Sequence, residues 1–590
     1  MACINCTPIF NPASLLIENA KDCEKCTKVI DYIECNSSLA YLVYSIDIQE
    51  KFKKMAPIFN GSQLLMFNPR FLDEGYSEGE ILSDIIDSLN IKNTTYENNN
   101  EIENVCNIIM GHIIDRIKDL IFDNPKGYLV SLLTILEYSI HLTFMTVGWL
   151  NDEENKINIE KITDDVGKLI IRSLKFQRDN NYFGQFEQIY KDWEGTLSLD
   201  KLALQYGIEV VSYLSKNRES SNKEISQIKL GKLIVTIRAM YELLLTRDEA
   251  SKNKRLQIDK EGNISTKKVD NYKEFSKLYV DSLIGRKKSS FDLKVKGKFN
   301  RVCKKYIGIS LDDINTIIDN LMKYYCNSDD FLIGTKEYFQ ELIKNLSGCS
   351  DEDAKVFMSN LLSNGKDTFD FATNTSLRNN RPLRKCLITV DDDIIACPIS
   401  VLKFSLIGFY SDITHATLPE SPFQKELFKI VDKNVNEKFE MDVIKYLQEN
   451  LHGVYIKGDI KENTLPDITY GKRFVHFSGQ IDIIMMYEKK LFVIECKNPD
   501  LKYTEKAMMS EVNRFREKGD FQKKLITKVN EVYNNWDSVV KFLGVEENVE
   551  KHTPISFFVI NTFSMAVLEK DLPNQVIPFS NLIEWINQQI

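Results

Sequence analysis

The stretch SGQIDIIMMYEKKLFVIECKN at 478–498 carries two apolar runs, IDIIMMY and LFVIEC, joined by the charged tripeptide EKK. Two such runs around a short polar turn predict a β-hairpin. Inside them stand residues that an apolar environment penalises: Asp482 in the first run, Glu495 and Lys497 at the end of the second. Side chains alternate between the faces of a strand, so Gln480 shares a face with Asp482, Glu495 shares one with Lys497, and Cys496 points the other way. A turn centred between Glu488 and Lys489 sets Asp482 opposite Glu495 and Gln480 opposite Lys497, with opposed Cβ atoms about 4.5–5.5 Å apart. An odd-length turn would separate these pairs, because a shift of one residue moves every side chain to the other face. The competing description is a solvated edge hairpin whose charges guard an exposed strand.

Two carboxylates this close repel unless a cation or a proton lies between them, and hard oxygen donors of this kind suit Mg²⁺ or Mn²⁺. A lysine beside such an ion can position a water and stabilise charge developing on phosphorus, which is the inventory for hydrolysing a phosphodiester. Gln480-x-Asp482 followed by Glu495-Cys496-Lys497 resembles the core of the PD-(D/E)XK, restriction-endonuclease-like nucleases, nearest to their Mrr-type and NERD-type branches. The resemblance covers 421–590 and implies a C-terminal α/β domain of that fold. It implies Mg²⁺ (or Mn²⁺) held by Asp482 and Glu495 with the carbonyl of Cys496, Lys497 acting on the attacking water, and Gln480 supporting the lysine. Upstream, apolar spacing at Phe439, Val443, Ile444 and Leu447 predicts an amphipathic helix. In the resemblance such a helix brings an acid to the metal, at Glu440, with Glu437 as competitor. Downstream, Gln522 resembles a glutamine that orients the site or contacts DNA. The pattern departs from the family in having Ile481 where a proline is usual. A literal Pro466-Asp467 exists, but Asp467 reads as a turn residue after proline.

At 590 residues the chain exceeds one core, and length suggests three or four domains. A hydrophobic content of 43% with 27% charged residues is that of a globular protein. No secretory pattern opens the sequence, so a reducing cytoplasm is expected. The longest apolar stretch, 128–150, contains Glu137 and His141 and predicts a buried helix rather than a membrane span. Four of the twelve cysteines fall in two C-x₂-C pairs, Cys3 with Cys6 and Cys23 with Cys26. That spacing predicts a zinc-ribbon-like segment over 1–38, with four thiolates around a structural Zn²⁺ and Cys35 as a substitute ligand. The region 39–380 shows three- and four-residue apolar spacing and is expected to be mainly helical, with the asparagine-rich 91–101 as a surface loop. A hairpin turning at Asp391 to Asp393, then a helix, is expected over 381–420.

The net charge is -9, yet 216–305 is rich in lysine and arginine. Arg286, Lys287, Lys288, Lys296, Lys298 and Arg301, punctuated by Phe291, Phe299 and Tyr306, form a candidate nucleic-acid-binding stretch, phosphates meeting the cations and bases the rings. His476 is a further candidate phosphate contact. No G-x₄-GK-[ST] loop is present. The chain thus reads as a multidomain, metal-dependent phosphodiesterase of nucleic acid, DNA ahead of RNA. Its helical region is free for a protein partner or activator, and a homo-oligomer is compatible with cutting two strands. By analogy of architecture it resembles bacterial anti-phage or restriction systems. The alternative is a non-catalytic nucleic-acid-binding or scaffold protein that keeps the fold.

Overall fold

The computed structural model describes residues 24–55, 76–150, 165–180, 186–216, 218–219, 224–253, 255–266, 293–324, 331–363, 382–391, 393–414, 416, 418–431, 437–461, 465–466, 474–498, 511–516, 519–561, 564–569 and 571–590. The chain is mostly helical and divides into two compact units, Met1–Lys267 with Asn300–Ser411, and Lys268–Phe299 with Asp412–Ile590.

In the first unit, α1 (Glu24–Met55), α2 (Glu78–Leu89), α3 (Asn99–Leu120), α4 (Pro125–Leu150), α5 (Asp165–Asn180), α6 (Phe186–Ser215) and α7 (Gln227–Asn253) make the body. α4 is the stretch that sequence pattern marks as most apolar, and it packs against α1 and α6. Tyr128, Leu129, Val130, Leu132, Leu133, Ile135 and Leu136 are all fully buried, covering every face, as expected of a core helix. No helix among the described residues is long and apolar enough to cross a membrane. Glu137, buried on α4, has a reason to be there. Its two oxygens accept the backbone N–H groups of Ser400 and Val401, each at 3.0 Å, in the first turn of the later helix Ile399–Thr414. Those donors have no partner within their own helix, and a carboxylate is the favourable acceptor at that end.

A second buried ionic cluster ties α1, α6 and α7 together. Arg238 donates to Asp200 through Nε at 2.9 Å and Nη2 at 3.0 Å, and to Asp47 through Nη1 at 2.9 Å. Lys51 and the Tyr44 hydroxyl complete the shell of Asp200 at 3.1 and 3.2 Å. Burial alone would raise Asp47, but the charges of Arg238 and Lys51 overcome it and pull the carboxyl down to about 2.

The rest of this unit departs from the sequence reading in three places. α1 runs through residue 38, so 24–38 is continuous with the helical body rather than part of a separate N-terminal segment. The asparagine-rich 91–101 contains a strand, β1 (Thr94–Tyr96), paired with β2 (Leu256–Ile258), which pairs in turn with β3 (Ile264–Ser265); Asn98 caps α3. Finally, after α8 (Leu293–Ile307) and α9 (Leu311–Tyr324), the short β4 (Phe331–Gly334) precedes α10 (Lys336–Ser347) and α11 (Asp351–Leu361). β4 joins the expected hairpin of β5 (Ile388–Asp391) and β6 (Ile394–Pro398) in the order β4-β6-β5, followed by α12 (Ile399–Thr414). Asp391 is buried and paired with Lys126 and Lys28.

The second unit is a three-layer α/β arrangement. Its sheet has the order β11 (Val576–Pro578), β10 (Ile555–Ile560), β9 (Lys490–Lys497), β8 (Ile481–Tyr487), β7 (Tyr455–Ile460). β7, β8 and β9 are antiparallel neighbours, while β9, β10 and β11 run parallel. α13 (Pro422–Val431) and α14 (Glu437–Asn450) precede the sheet; α15 (Asp520–Asn534) and α16 (Trp536–Leu543) lie between β9 and β10, and α17 (Leu582–Gln589) ends the chain. On one face Ile484, Met486, Leu491 and Val493 pack with Leu525, Val529, Val532, Trp536 and Val539 of α15 and α16. On the other, Ile483, Met485, Phe492 and Ile494 pack with Phe439, Val443 and Leu447 of α14 and with Leu582 and Ile586 of α17. Both strands of the central hairpin are therefore buried on both faces, which is why they read as continuous apolar runs rather than alternating ones.

Candidate functional site

The β8–β9 register is set by a two-residue turn. Glu488 and Lys489 both take left-handed backbone, with φ of 48° and 64°, the primed turn whose twist matches the strands it joins. Tyr487 then faces Lys490, Met485 faces Phe492 and Ile483 faces Ile494. The pairing ends at Ile483 and Ile494, one step short of Asp482 and Glu495. Since β8 and β9 are interior strands, the solvated edge hairpin does not describe them, and the two carboxylates are only 7% and 4% exposed.

Three oxygens meet around one cationic nitrogen. The Lys497 ammonium lies 2.9 Å from Glu495 Oε2, 3.2 Å from the Cys496 carbonyl and 3.7 Å from Asp482 Oδ2. The Cys496 backbone N–H donates to Asp482 Oδ2 at 2.8 Å, locking the two strands together at the site. Burial first, and then the charge of Glu495, raise Asp482 to about 6 against the opposing pull of Lys497 and Lys528. Burial alone would lower the Lys497 ammonium, but Glu495 and Asp482 outweigh it and raise the group, so it stays charged.

Glu440 comes from α14. A Cβ at Gly458 on β7 would collide with Ile444, so the bare glycine lets α14 close on the sheet. Burial, and next the charge of Asp482, raise the Glu440 carboxyl to about 7. The side chain of the competitor, Glu437, and Asp467 both lie outside the described residues.

Other expected site residues stand elsewhere. Gln480 is exposed just before β8, and among the described residues it makes no hydrogen bond to Lys497. Gln522 is fully buried, donating to the Asn574 carbonyl at 2.8 Å and accepting from the Asn574 side chain at 2.7 Å. Fully buried and bonded at both ends of its amide, it anchors α15 and is not presented at the surface. His476 is exposed. Arg286, Lys287, Lys288 and Phe291 lie outside the described residues. α8 displays Lys298 and Arg301, with Lys296 half-buried, but Phe299 is fully buried beside Cys303 and Ile307 and offers no stacking face. Cys3, Cys6 and Cys23 lie outside the described residues; Cys26 is buried at the start of α1 and Cys35 is exposed on it.

Lys528 is the residue at this site that sequence reasoning misses. It sits on the buried stripe of α15 in phase with Leu525, Val529 and Val532, and its ammonium bonds Glu495 Oε1. A lysine in step with an apolar helical stripe is the signal that marks it. At the outer edge, Phe521 lies under the Arg514 guanidinium at 3.8 Å and 5.7 Å from the Lys497 ammonium.

The donor set fits a hard divalent ion in kind: two carboxylates and a main-chain carbonyl converge on a point where the Lys497 ammonium stands in for a cation. Among the described residues no three His, Cys, Asp or Glu side chains are gathered closely enough to enclose an ion, and both oxygens of Glu495 are held by lysines.

The raised carboxyls have a consequence for stability without metal. Asp482 and Glu440 bind protons more tightly folded than unfolded, so the contribution is complete below the ordinary carboxylate range near pH 4. It is lost as pH rises through about 6 and about 7. Thermal unfolding in EDTA is expected to show a wild type that loses stability between about pH 4 and pH 7 relative to Asp482→Asn with Glu440→Gln. Parallel profiles for the two proteins would refute the shifts.

No family model, curated protein or solved structure matches this chain.

Proposed function

We propose that the second unit is a restriction-endonuclease-like, metal-dependent nuclease that hydrolyses phosphodiesters of nucleic acid, DNA ahead of RNA. The observation that carries this reading is the convergence of Asp482, Glu495 and the Cys496 carbonyl on one cationic point at the end of a buried hairpin. These three would hold Mg²⁺ or Mn²⁺, with Glu440 beside them. A divalent ion bound there supplies Lewis-acid stabilisation of the phosphoryl oxygens and of the leaving alkoxide. Lys497, kept protonated by its carboxylates, donates hydrogen bonds to the attacking water and to a non-bridging oxygen, and so orients rather than deprotonates. Phe521 and Arg514 provide a ring and a guanidinium next to that position for the substrate. The test is cleavage of supercoiled plasmid, linear duplex, single-stranded DNA and RNA with Mg²⁺, Mn²⁺ or EDTA.

The saturation of Glu495 by Lys497 and Lys528 favours a second reading, a binder that keeps the fold without catalysis. Under it the protein retains nucleic acid in EDTA, and no metal elicits cutting.

The paired C-x₂-C spacing supports a structural Zn²⁺ at Cys3, Cys6, Cys23 and Cys26. Elemental analysis is expected to find one zinc per chain, lost on Cys3→Ser with Cys6→Ser. A wild type purified without zinc depletion and carrying none would end this reading.

A further inference from the structure

We propose that Lys528 is an internal counterion that sets how tightly the Asp482–Glu495 pair takes a divalent cation. The inference rests on the metal-dependent reading of that pair. Glu495 divides its carboxylate between two lysines, Oε2 to Lys497 at 2.9 Å and Oε1 to Lys528. The two lysines are not equivalent. Lys497 also reaches Asp482 and the Cys496 carbonyl, and its side chain is 26% exposed; Lys528 is 11% exposed. Lys497 is thus placed to meet a substrate, whereas Lys528 acts from beneath, bonding Glu495 and reaching Asp482 through charge only, and is a positioning residue.

Charge counting gives the consequence. The Asp482–Glu495 pair faces two ammoniums, Lys497 and Lys528, so its charge is offset before any ion arrives, with Glu440 the further acid beside it. A divalent cation entering it must both displace a lysine from a Glu495 oxygen and face the ammonium of Lys528, which α15 holds in place through Leu525, Val529 and Val532. Opposing charge in a poorly solvated place is felt strongly. Lys528 therefore weakens cation binding while keeping Glu495 paired when no cation is present.

The probe is Mn²⁺ alone, titrated calorimetrically into the full chain. Lys528→Met keeps the apolar stem and removes the charge, and Lys528→Gln keeps an N–H donor for Glu495 in case the methionine does not fold. Either variant is expected to bind Mn²⁺ about 10-fold more tightly than wild type. Lys528→Arg, which retains charge, is expected to stay near wild type, and Asp482→Asn to abolish the site. The melting temperature gained on adding Mn²⁺ should likewise be larger in Lys528→Gln than in wild type. Equal or weaker Mn²⁺ affinity in the variants, with Asp482-dependent binding in wild type, overturns the role of Lys528 and leaves the metal site standing. Folded wild type and variants that all fail to bind Mn²⁺ overturn the metal reading of the pair and this inference with it.

Discussion

If the second unit is the nuclease proposed, Lys497→Ala and Asp482→Asn are each expected to lower cleavage by about 10³-fold or more while the fold persists. The loss is large because the two residues serve one locus. Asp482 supplies an oxygen to it and takes the Cys496 N–H that fixes the opposing strand, and Lys497 fills it with charge. Asp482→Asn keeps a side-chain oxygen for the Cys496 N–H, so the hairpin survives and the lost quantity is charge. Lys497→Ala leaves Glu495 with Lys528, so a buried carboxylate keeps a partner and the unit still folds. Circular dichroism and melting within a few degrees of wild type, together with lost cutting, are the expected pair of results. Wild-type rates in either variant would remove the assignment, since no other described lysine reaches both carboxylates.

The second large effect is on stability. Arg238→Ala is expected to cost about 3–5 kcal/mol, because it removes the group that bridges the buried Asp200 and the half-buried Asp47 and leaves their charges facing each other. Asp200 is 3% exposed, and without Arg238 it keeps Lys51 and the Tyr44 hydroxyl among the described residues. Arg238→Lys should lie in between, since an ammonium keeps the charge but lacks the planar fork that serves Asp47 and Asp200 together. Denaturant unfolding measures both. The sign with pH follows from Asp47, whose carboxyl is held down to about 2 in the wild type. Its contribution is present above the ordinary carboxylate range and is lost as pH falls toward 2. The alanine variant lacks much of that contribution, so its deficit should shrink in acid. An Arg238→Ala protein as stable as wild type at neutral pH would show that the cluster is not structural.

The sequence is most legible where polarity interrupts an apolar run. Asp482, Glu495 and Lys497 stand out because nothing else in IDIIMMY and LFVIEC is charged, and a two-residue turn is enough to place them opposite one another. α4 is legible for the same reason: its length and apolarity leave a core helix, and Glu137 marks where another element must dock. What escapes is of three kinds. β4 and β1 are four and three residues long and owe their strands to partners far along the chain, β6 and β2. Gln522 looks like a site residue, yet its partner Asn574 is remote in sequence, so its structural tie cannot be seen locally. Lys528 hides because a lysine within an amphipathic helix is ordinarily solvent-facing, and only its phase with Leu525 and Val529 shows otherwise. In each case a contact between distant segments decides the outcome, while a local period does not report it.

The burial of β8 and β9 on both faces carries one more implication. Where a strand has a wet side, oil and water choose its alignment; here either alignment would bury apolar side chains, and hydrophobicity is nearly blind to the difference. The left-handed turn at Glu488 and Lys489 and the clasp between Asp482 and the Cys496 N–H must break that tie. Asp482, an acid that would do the chemistry, is then also an index mark by which the folding chain recognises its correct alignment.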